Sequence, residues 1–327
     1  MQADHHVFDG VVPGERAGER FDVVAAGLVP HLSRGRIVAA IRSGAALLDG
    51  RVQKPAYRVR GGERILIRLE EQPRALRDLP QPVAFEVAYE DEHLIVVDKP
   101  PGLVVHPGAG NADGTLVNGL LARRPDLAAL PRAGIVHRLD KDTSGLMVVA
   151  ATEQVRRSLV RAIQRREVDR IYMAVVEGVM ISGRDIDLAL GRDSRQRMRW
   201  RARDDGRPAL THVRVIARFR AHTLVRAKLG TGRTHQVRAH MSAVGHPLVG
   251  DGRYGARGRL PKVPSEELVE TIRAFPRQAL HARCLGFEHP VLGSAMRFES
   301  PVPADIASLV RTLRADADVV HPPGPMR

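Results

Sequence analysis

Cysteine is nearly absent: Cys284 is the only one in 327 residues. A single thiol can form no intrachain disulfide, no Cys-x-x-Cys redox pair and no multi-cysteine zinc site. Aromatic residues make up 4% of the chain, with one tryptophan, which argues against an extended platform for stacking successive bases. No stretch approaches the ~18 consecutive apolar residues of a membrane-spanning helix. The opening residues, MQADHHVFDG, lack the apolar core of a signal peptide. A cytosolic protein without membrane contact is expected. Lysine is scarce as well: five of the 51 basic residues are lysines and 46 are arginines.

Positive charge is what the chain has. The 51 basic residues face 37 acidic ones, for a net charge of +14. Guanidinium groups are permanently charged forks that grip phosphate oxygens in pairs. An arginine-rich genome explains arginine over lysine, but not the excess of cations over anions. A polyanion is therefore the expected partner, most simply nucleic acid. The apolar fraction of 43% supports a buried core, and the length suits about two domains of ~150 residues.

Patterning divides the chain further. Residues 1–15 read as an arm. Phe21, Val24, Ala25 and Leu28 then recur at helical spacing up to Pro30, and Ser33 can cap a second helix through Ile37, Val38 and Ile41 that Gly44 ends. Asp49-Gly50 is a hairpin signal, and Glu63–Leu69 reads as a strand. Residues 16–72 thus form a small helix–helix–β-hairpin unit whose basic face carries Arg34, Arg36, Arg51 and Lys54. Pro73, Pro80 and Pro82 mark 73–84 as a linker. From 85 to 315, strands are expected at 85–89, 94–98, 146–151, 171–177, 212–219 and 222–229, with helices at 153–165, 234–244 and 303–314. This is an α+β domain around a mixed, largely antiparallel sheet with inserted helices. Residues 316–327, with three prolines, read as a free tail.

The densest polar cluster is His137-Arg138-Leu139-Asp140-Lys141-Asp142-Thr143-Ser144-Gly145, which runs directly into the apolar strand Leu146–Ala150. A charged loop delivered by a buried strand is how a rigid scaffold holds reactive side chains. By pattern alone a solvated charged turn before a core strand is the readier reading. Arg138 and Lys141 flank Asp140 and would favour a carboxylate nucleophile there. His235 and His240 stand five apart outside any His-Glu-x-x-His frame, so no zinc site is expected. Gly102, Gly108 and Gly110 are followed by no Gly-Lys-Ser/Thr, so they read as a flexible loop rather than a phosphate cradle.

These stretches resemble known families. Glu19–Asp22, Ser33–Arg36, Leu48–Val52 and Gly61–Glu63 are similar to the small RNA-binding domain named after ribosomal protein S-four, with Leu48-Asp49-Gly50 where Val-Asn-Gly is usual. His137–Leu146 resembles the hallmark of the RluA/RluD-type RNA pseudouridine synthases. Lys99–Gly108, Arg170–Ala174, Gly232–Arg238, His246–Asp251 and Ala279–Ala282 match the same family in the same order. The resemblance implies a cofactor-free isomerisation that detaches uracil from C1′, rotates it and rejoins it through C5. It assigns Asp140 as the essential carboxylate, Tyr172 as the residue against the uracil, and Arg233 as the ion-pair partner of Asp140. It places Val237 beside the base, Leu139 and His137 in the substrate site, and Arg138 in the gap left when the nucleotide leaves the RNA stack. Extrusion is a physical need, since a stacked uridine cannot present C1′ and C5 to a carboxylate. Attack on C1′, attack on C6 and abstraction of the C2′ proton all remain open. The implied substrate is 23S ribosomal RNA, acted on by a monomer. Another rRNA site, a tRNA, or a catalytically idle assembly factor are the rival readings.

Overall fold

The chain divides into two units, Met1–Ala75 and Leu76–Arg327, in the computed structural model, which describes residues 5–29, 32, 34–70, 79–108, 111–193, 196, 198–255 and 258–320. The first unit contains β1 (His5–Val11), α1 (Phe21–Leu28), α2 (Arg34–Ser43), β2 (Ala46–Leu48) and β3 (Arg64–Glu70). Its antiparallel sheet has the order β1-β3-β2. Ile65 and Ile67 alternate onto one face of β3, where they meet Phe21 and Val24 of α1 and Ile37 and Ile41 of α2. Asp49 and Gly50 both have positive φ (48° and 73°), and Leu48 and Arg51 exchange backbone hydrogen bonds across them. That is the tight hairpin geometry that Asp-Gly favours.

One expectation fails here. Residues 5–11 are not an arm but a strand, in register from His5↔Glu70 to Val11↔Arg64. β2 covers only three residues on one side of β3, and the long opposite edge would otherwise be left open to adventitious pairing.

The second unit runs β4 (Glu86–Glu90), β5 (Leu94–Lys99), α3 (Leu116–Arg123), β6 (Ser144–Ala150), α4 (Glu153–Gln164), β7 (Asp169–Glu177), β8 (Arg184–Asp187), β9 (Leu190–Arg192), β10 (Trp200–Ala202), β11 (Leu210–Arg218), β12 (His222–Leu229), α5 (Gln236–Ala243), α6 (Glu266–Ala274), β13 (Leu280–Glu288), β14 (Ala295–Glu299) and α7 (Ala304–Val320). The main sheet has the order β4-β5-β6-β13-β7-β12-β11-β8, with β14 also on β13, while β9 and β10 form a separate ribbon. Its described pairings are antiparallel except β6 with β13.

Both faces of the sheet are covered, which explains the unbroken apolar run Leu146–Ala150. Ile95, Val97, Met147 and Val149 face α3 and α5 on the front. Leu94, Val96, Leu146 and Val148 pack on Val155 and Leu159 of α4 behind, and Val175 and Leu224 on α6 and α7. Thr115 and Asn118 cap α3 reciprocally.

Two boundaries also move. Residues 316–320, expected in a free tail, are helical instead: α7 continues to Val320, and Asp316 is buried, paired with Arg220 and accepting the Ser265 N–H. The end of the expected linker is fastened down: the Leu79 carbonyl accepts from Asn118, and Gln81 bonds Gly114 and Asn118. The helix stop at Pro30, the cap at Ser33, the linker proline Pro73, the loop glycine Gly110 and the prolines after 320 lie outside the described residues. Among those described, no helix is long and apolar enough to cross a membrane.

Candidate active site

The loop that carries Asp140 is fixed from behind. The Lys99 ammonium, fully buried, donates to the carbonyls of Pro100 (2.8 Å), Leu103 (2.9 Å) and Lys141 (2.9 Å). Arg277, clamped bidentately by Asp305, donates to the Asp142 carbonyl at 3.0 Å. Gln278 reaches the Thr143 hydroxyl, and the Thr143 N–H closes the turn onto the Asp140 carbonyl. Gly145 then enters β6 with φ 111°, where a Cβ would come within 2.3 Å of the Ala282 carbonyl oxygen. Only glycine allows β13 this close.

Helix α5 builds the opposite wall. Gln236 accepts from the Arg233 N–H and the Thr231 hydroxyl and donates to the Leu210 carbonyl, which ties the helix start to β11. Arg238, in the first turn, meets Asp140 Oδ2 at 2.9 Å through Nη1 and grips both oxygens of Asp251 at 2.7 and 2.8 Å. It also lies 5.0 Å from the Tyr254 ring centroid, a cation–π contact. Burial opposes both charges of the Arg238–Asp251 pair, but their mutual hydrogen bonds and attraction win. The guanidinium is therefore raised and the Asp251 carboxyl lowered from its ordinary value. His235, at φ 55°, stands 3.8 Å from Asp140 Oδ1 and bonds the Tyr254 hydroxyl through Nδ1.

The expected partner of Asp140 was Arg233, and that is corrected to Arg238. Arg233 precedes the helix, and its Nε donates to the Pro208 carbonyl at 3.1 Å. Arg238 lies one turn further on, where the helix aims it back at Asp140. The neighbours Arg138 and Lys141 are both exposed and make no ion pair with Asp140.

Asp140, Arg138, His137, Leu139, Tyr172 and Val237 all line one cleft of about 450 Å³, a size suited to small organic groups. Leu139, Tyr172 and Val237 are buried and supply its apolar wall. Burial pushes the Tyr172 phenol up to about 12, with Arg170 pulling the other way. At neutral pH its hydroxyl therefore stays protonated. His137 has a second duty: burial and the Arg170 charge pull it down to about 3, and its neutral Nε2 accepts the Val148 N–H at 3.1 Å. The Arg138 guanidinium is exposed and has no hydrogen-bond partner among the described residues.

In the first unit, Arg51 and Lys54 are exposed, without ion pairs among the described residues. Arg34, expected to contact RNA, pairs with Asp22 at 2.7 Å while more than half of its side-chain surface stays exposed. Asp22 is buried at the start of α1, and Arg20 and Arg34 together neutralise it. Arg36 is half-buried in α2. On α4, Glu153 binds Arg156 and Arg157, so part of that basic face is internally neutralised.

Sequence reasoning gave no role to Arg238, Asp251 or Arg170, although all three lie inside motifs it singled out. A signal was present: Gly-Arg-Thr-His-Gln-Val-Arg holds two arginines, and a helix beginning at Gln236 turns only the second inward.

Residues 93–243 match the family model for RNA pseudouridylate synthase. Ribosomal large subunit pseudouridine synthase D of Xanthomonas campestris pv. campestris is 51% identical over 316 residues, 96% of this chain and 95% of that one. Its namesake from Pseudomonas aeruginosa is 51% identical over 94% of this chain and 96% of its own. The one from Escherichia coli is 46% identical over 93% and 94%. The solved structure of human RNA pseudouridylate synthase domain containing 1 superposes with a TM-score of 0.53 at 26% identity, covering 72% of this chain and 96% of that one. With such identity running through both units and a buried carboxylate–arginine cleft beneath the matched motifs, the chain belongs to the RNA pseudouridylate synthase family, isomerases that convert uridine in RNA to pseudouridine.

Proposed function

We propose that this isomerase acts on a uridine of large-subunit ribosomal RNA, with Asp140 as the reactive carboxylate. The observation that carries the assignment is the Asp140–Arg238–Asp251 array. One carboxylate faces the cleft, held in place by a guanidinium that it shares with Asp251, while Asp251 has no exposed side-chain surface. Extraction of uracil and its return through C5 involve no net redox change and no water, so a held carboxylate is a plausible minimum. Tyr172 and Val237 pack the base, and Tyr172 supplies a protonated hydroxyl beside it. The ribosomal substrate is supported by the names of the relatives. The direct test is site-resolved pseudouridine mapping of ribosomal RNA from cells with and without the protein. Loss of one or more large-subunit sites is expected, and an unchanged 23S map with missing tRNA sites would redirect the assignment.

Arg138 props the stack that the flipped nucleotide has left. Its lack of a hydrogen-bond partner among the described residues supports this, because the group is then free to enter RNA. Unstacking costs roughly a few kcal/mol, and less for a nucleotide already unpaired. Arg138→Ala should therefore slow single-turnover conversion most on a uridine held in a stable stack and least on one in a floppy strand. Equal losses on the two RNAs would point to a phosphate clamp, because backbone contacts carry no information about stacking.

The first unit adds non-specific grip through Arg51 and Lys54. Replacing both with alanine should leave the rate at saturating RNA intact. It should also flatten the plot of log affinity against log salt by about 0.7–0.9 per lost phosphate contact. An unaltered slope would mean that this face is only solvated.

A further inference from the structure

Arg170 is 4% exposed on β7, two residues before Tyr172 and hence on the same face of the strand. It lines the cleft. Its Nε and Nη2 are sealed from solvent and have no hydrogen-bond partner among the described residues, and no carboxylate among them pairs with it. Its Nη1 lies under Gly232, where an added Cβ would come within 2.6 Å of it. A buried guanidinium without a partner destabilises the fold. Such a group is expected where a function requires it.

The other guanidiniums of the cleft are engaged or wet. Arg238 is held by Asp140 and Asp251, Arg233 donates to Pro208, and Arg138 is exposed. Arg170 is desolvated, its charge has no paired carboxylate among the described residues, and Nη1 is the nitrogen not sealed off; a fixed cation in a dry site acts far more strongly than one in water.

We propose that Arg170 is a catalytic residue, the counter-cation of the uracil anion released when the N1–C1′ bond breaks. The proposal rests on the reading of Asp140 as the reactive carboxylate. The electron pair of the broken bond goes to the base, and its charge spreads over N1, O2 and O4. C1′ is completed either by a bond to an Asp140 oxygen or by a double bond to C2′ as Asp140 takes the C2′ proton. In both routes the base carries one negative charge until C5 bonds to C1′. The Asp140 bond then breaks, or the proton returns to C2′, and the C5 proton is exchanged for one on N1. Asp140 is thus regenerated, and nothing is consumed.

A phosphate of the target strand would offer the same guanidinium an anionic oxygen, and the test separates the two. Full-length wild type, Arg170→Met and Arg170→Lys are compared on unmodified 23S rRNA transcripts made with uridine or with 5-fluorouridine. Single-turnover formation of the C5-linked nucleotide, which on 5-fluorouridine keeps fluorine on C5 and takes up water at N1 and C6 because it has no C5 proton to lose, is followed by chromatography of the digested RNA. At saturating RNA, Arg170→Met should lose on the order of a hundredfold in rate on uridine, with affinity and its salt slope unchanged. Arg170→Lys should keep most of the rate. The loss should be smaller on 5-fluorouridine, because fluorine itself stabilises the departing anion. The thermal midpoint of Arg170→Met should not fall, since the side chain bonds none of the described residues.

Equal losses on the two RNAs would overturn the proposal. Weaker binding with a flatter salt slope and a normal saturated rate would replace it with a phosphate contact. A lowered midpoint, with the rate loss restored by stabilising conditions, would make Arg170 structural. If Asp140→Asn instead retains turnover, the Asp140 reading fails, while the contrast between uridine and 5-fluorouridine still reports on charge at the base.

Discussion

Asp140→Asn should bind RNA as the wild type does and convert no uridine. The amide is nearly isosteric with the carboxylate but offers no ionised oxygen to attack C1′ or C6 or to take a proton. Arg238 would keep both of its bonds to Asp251, so the cleft wall should stand. The loop would keep Lys99 and Arg277 on its carbonyls. A single-turnover loss of more than about 10⁴-fold is expected, as for removal of a principal reactive group elsewhere. RNA affinity, read by fluorescence anisotropy, should change by less than about threefold, since phosphate contacts dominate it. Measurable multiple turnover in the pure variant would remove Asp140 from the mechanism. An unfolded variant would make the residue a structural element of the loop.

Arg238→Met should be the most damaging change that leaves every carboxylate in place. It strands Asp251, with no exposed side-chain surface, and Asp140, with 15%, without their shared cation. Breaking one side of a buried pair typically costs about 3–5 kcal/mol, so a large fall in thermal midpoint should accompany loss of activity. Arg238→Lys should recover part of it at most, because an ammonium cannot fork onto Asp251 and reach Asp140 together. Arg233→Met removes one hydrogen bond to a carbonyl and should cost about 1 kcal/mol. If Arg233→Met proved the more harmful of the two, the pairing seen in the fold would not be the one that operates. The carboxyl of Asp251 is lower in the folded protein than in the unfolded chain. Its stabilising contribution is therefore complete above the ordinary carboxylate range and is lost as pH falls through the folded value. In Arg238→Met that acid-side loss should diminish, which equilibrium unfolding against pH can measure.

Much of the second unit was legible because its strands are apolar runs or alternations with clear ends. The β12 boundaries, His222–Leu229, were read directly, and α4 announces itself through Val155 and Leu159 opposite its arginines. β13 was not legible. Leu-His-Ala-Arg-Cys interleaves polar residues in a strand buried on both sides, and it is tolerated because His281 bonds Ser144 and Arg283 bonds the Ser300 carbonyl. Ser144 lies 137 residues from its partner and Ser300 lies 17 residues from Arg283, so no local pattern records them. α3 was missed for a different reason: eight residues with an internal glycine have little helical preference, and packing on Phe85 and the sheet decides the matter. At the site, the cleft residues were found as a motif, but the motif does not say which arginine faces Asp140. That depends on where α5 begins, and Gln236 sets the start through bonds to Thr231 and Leu210.

The clamp on the loop has a consequence for the order in which a new molecule matures. Asp142 is translated 135 residues before Arg277, the side chain that holds its carbonyl. At ribosomal speeds that interval is roughly 7–27 s. Until then the parallel partner of β6 does not exist, and the loop cannot take its working shape. Contacts of such long separation also form late in folding, after the entropy of closing the chain has been overcome. On the proposed roles of Arg51, Lys54 and Asp140, the nascent chain presents its basic N-terminal residues to RNA well before it has a competent carboxylate, and any truncation ahead of β13 should yield a binder that never becomes an isomerase.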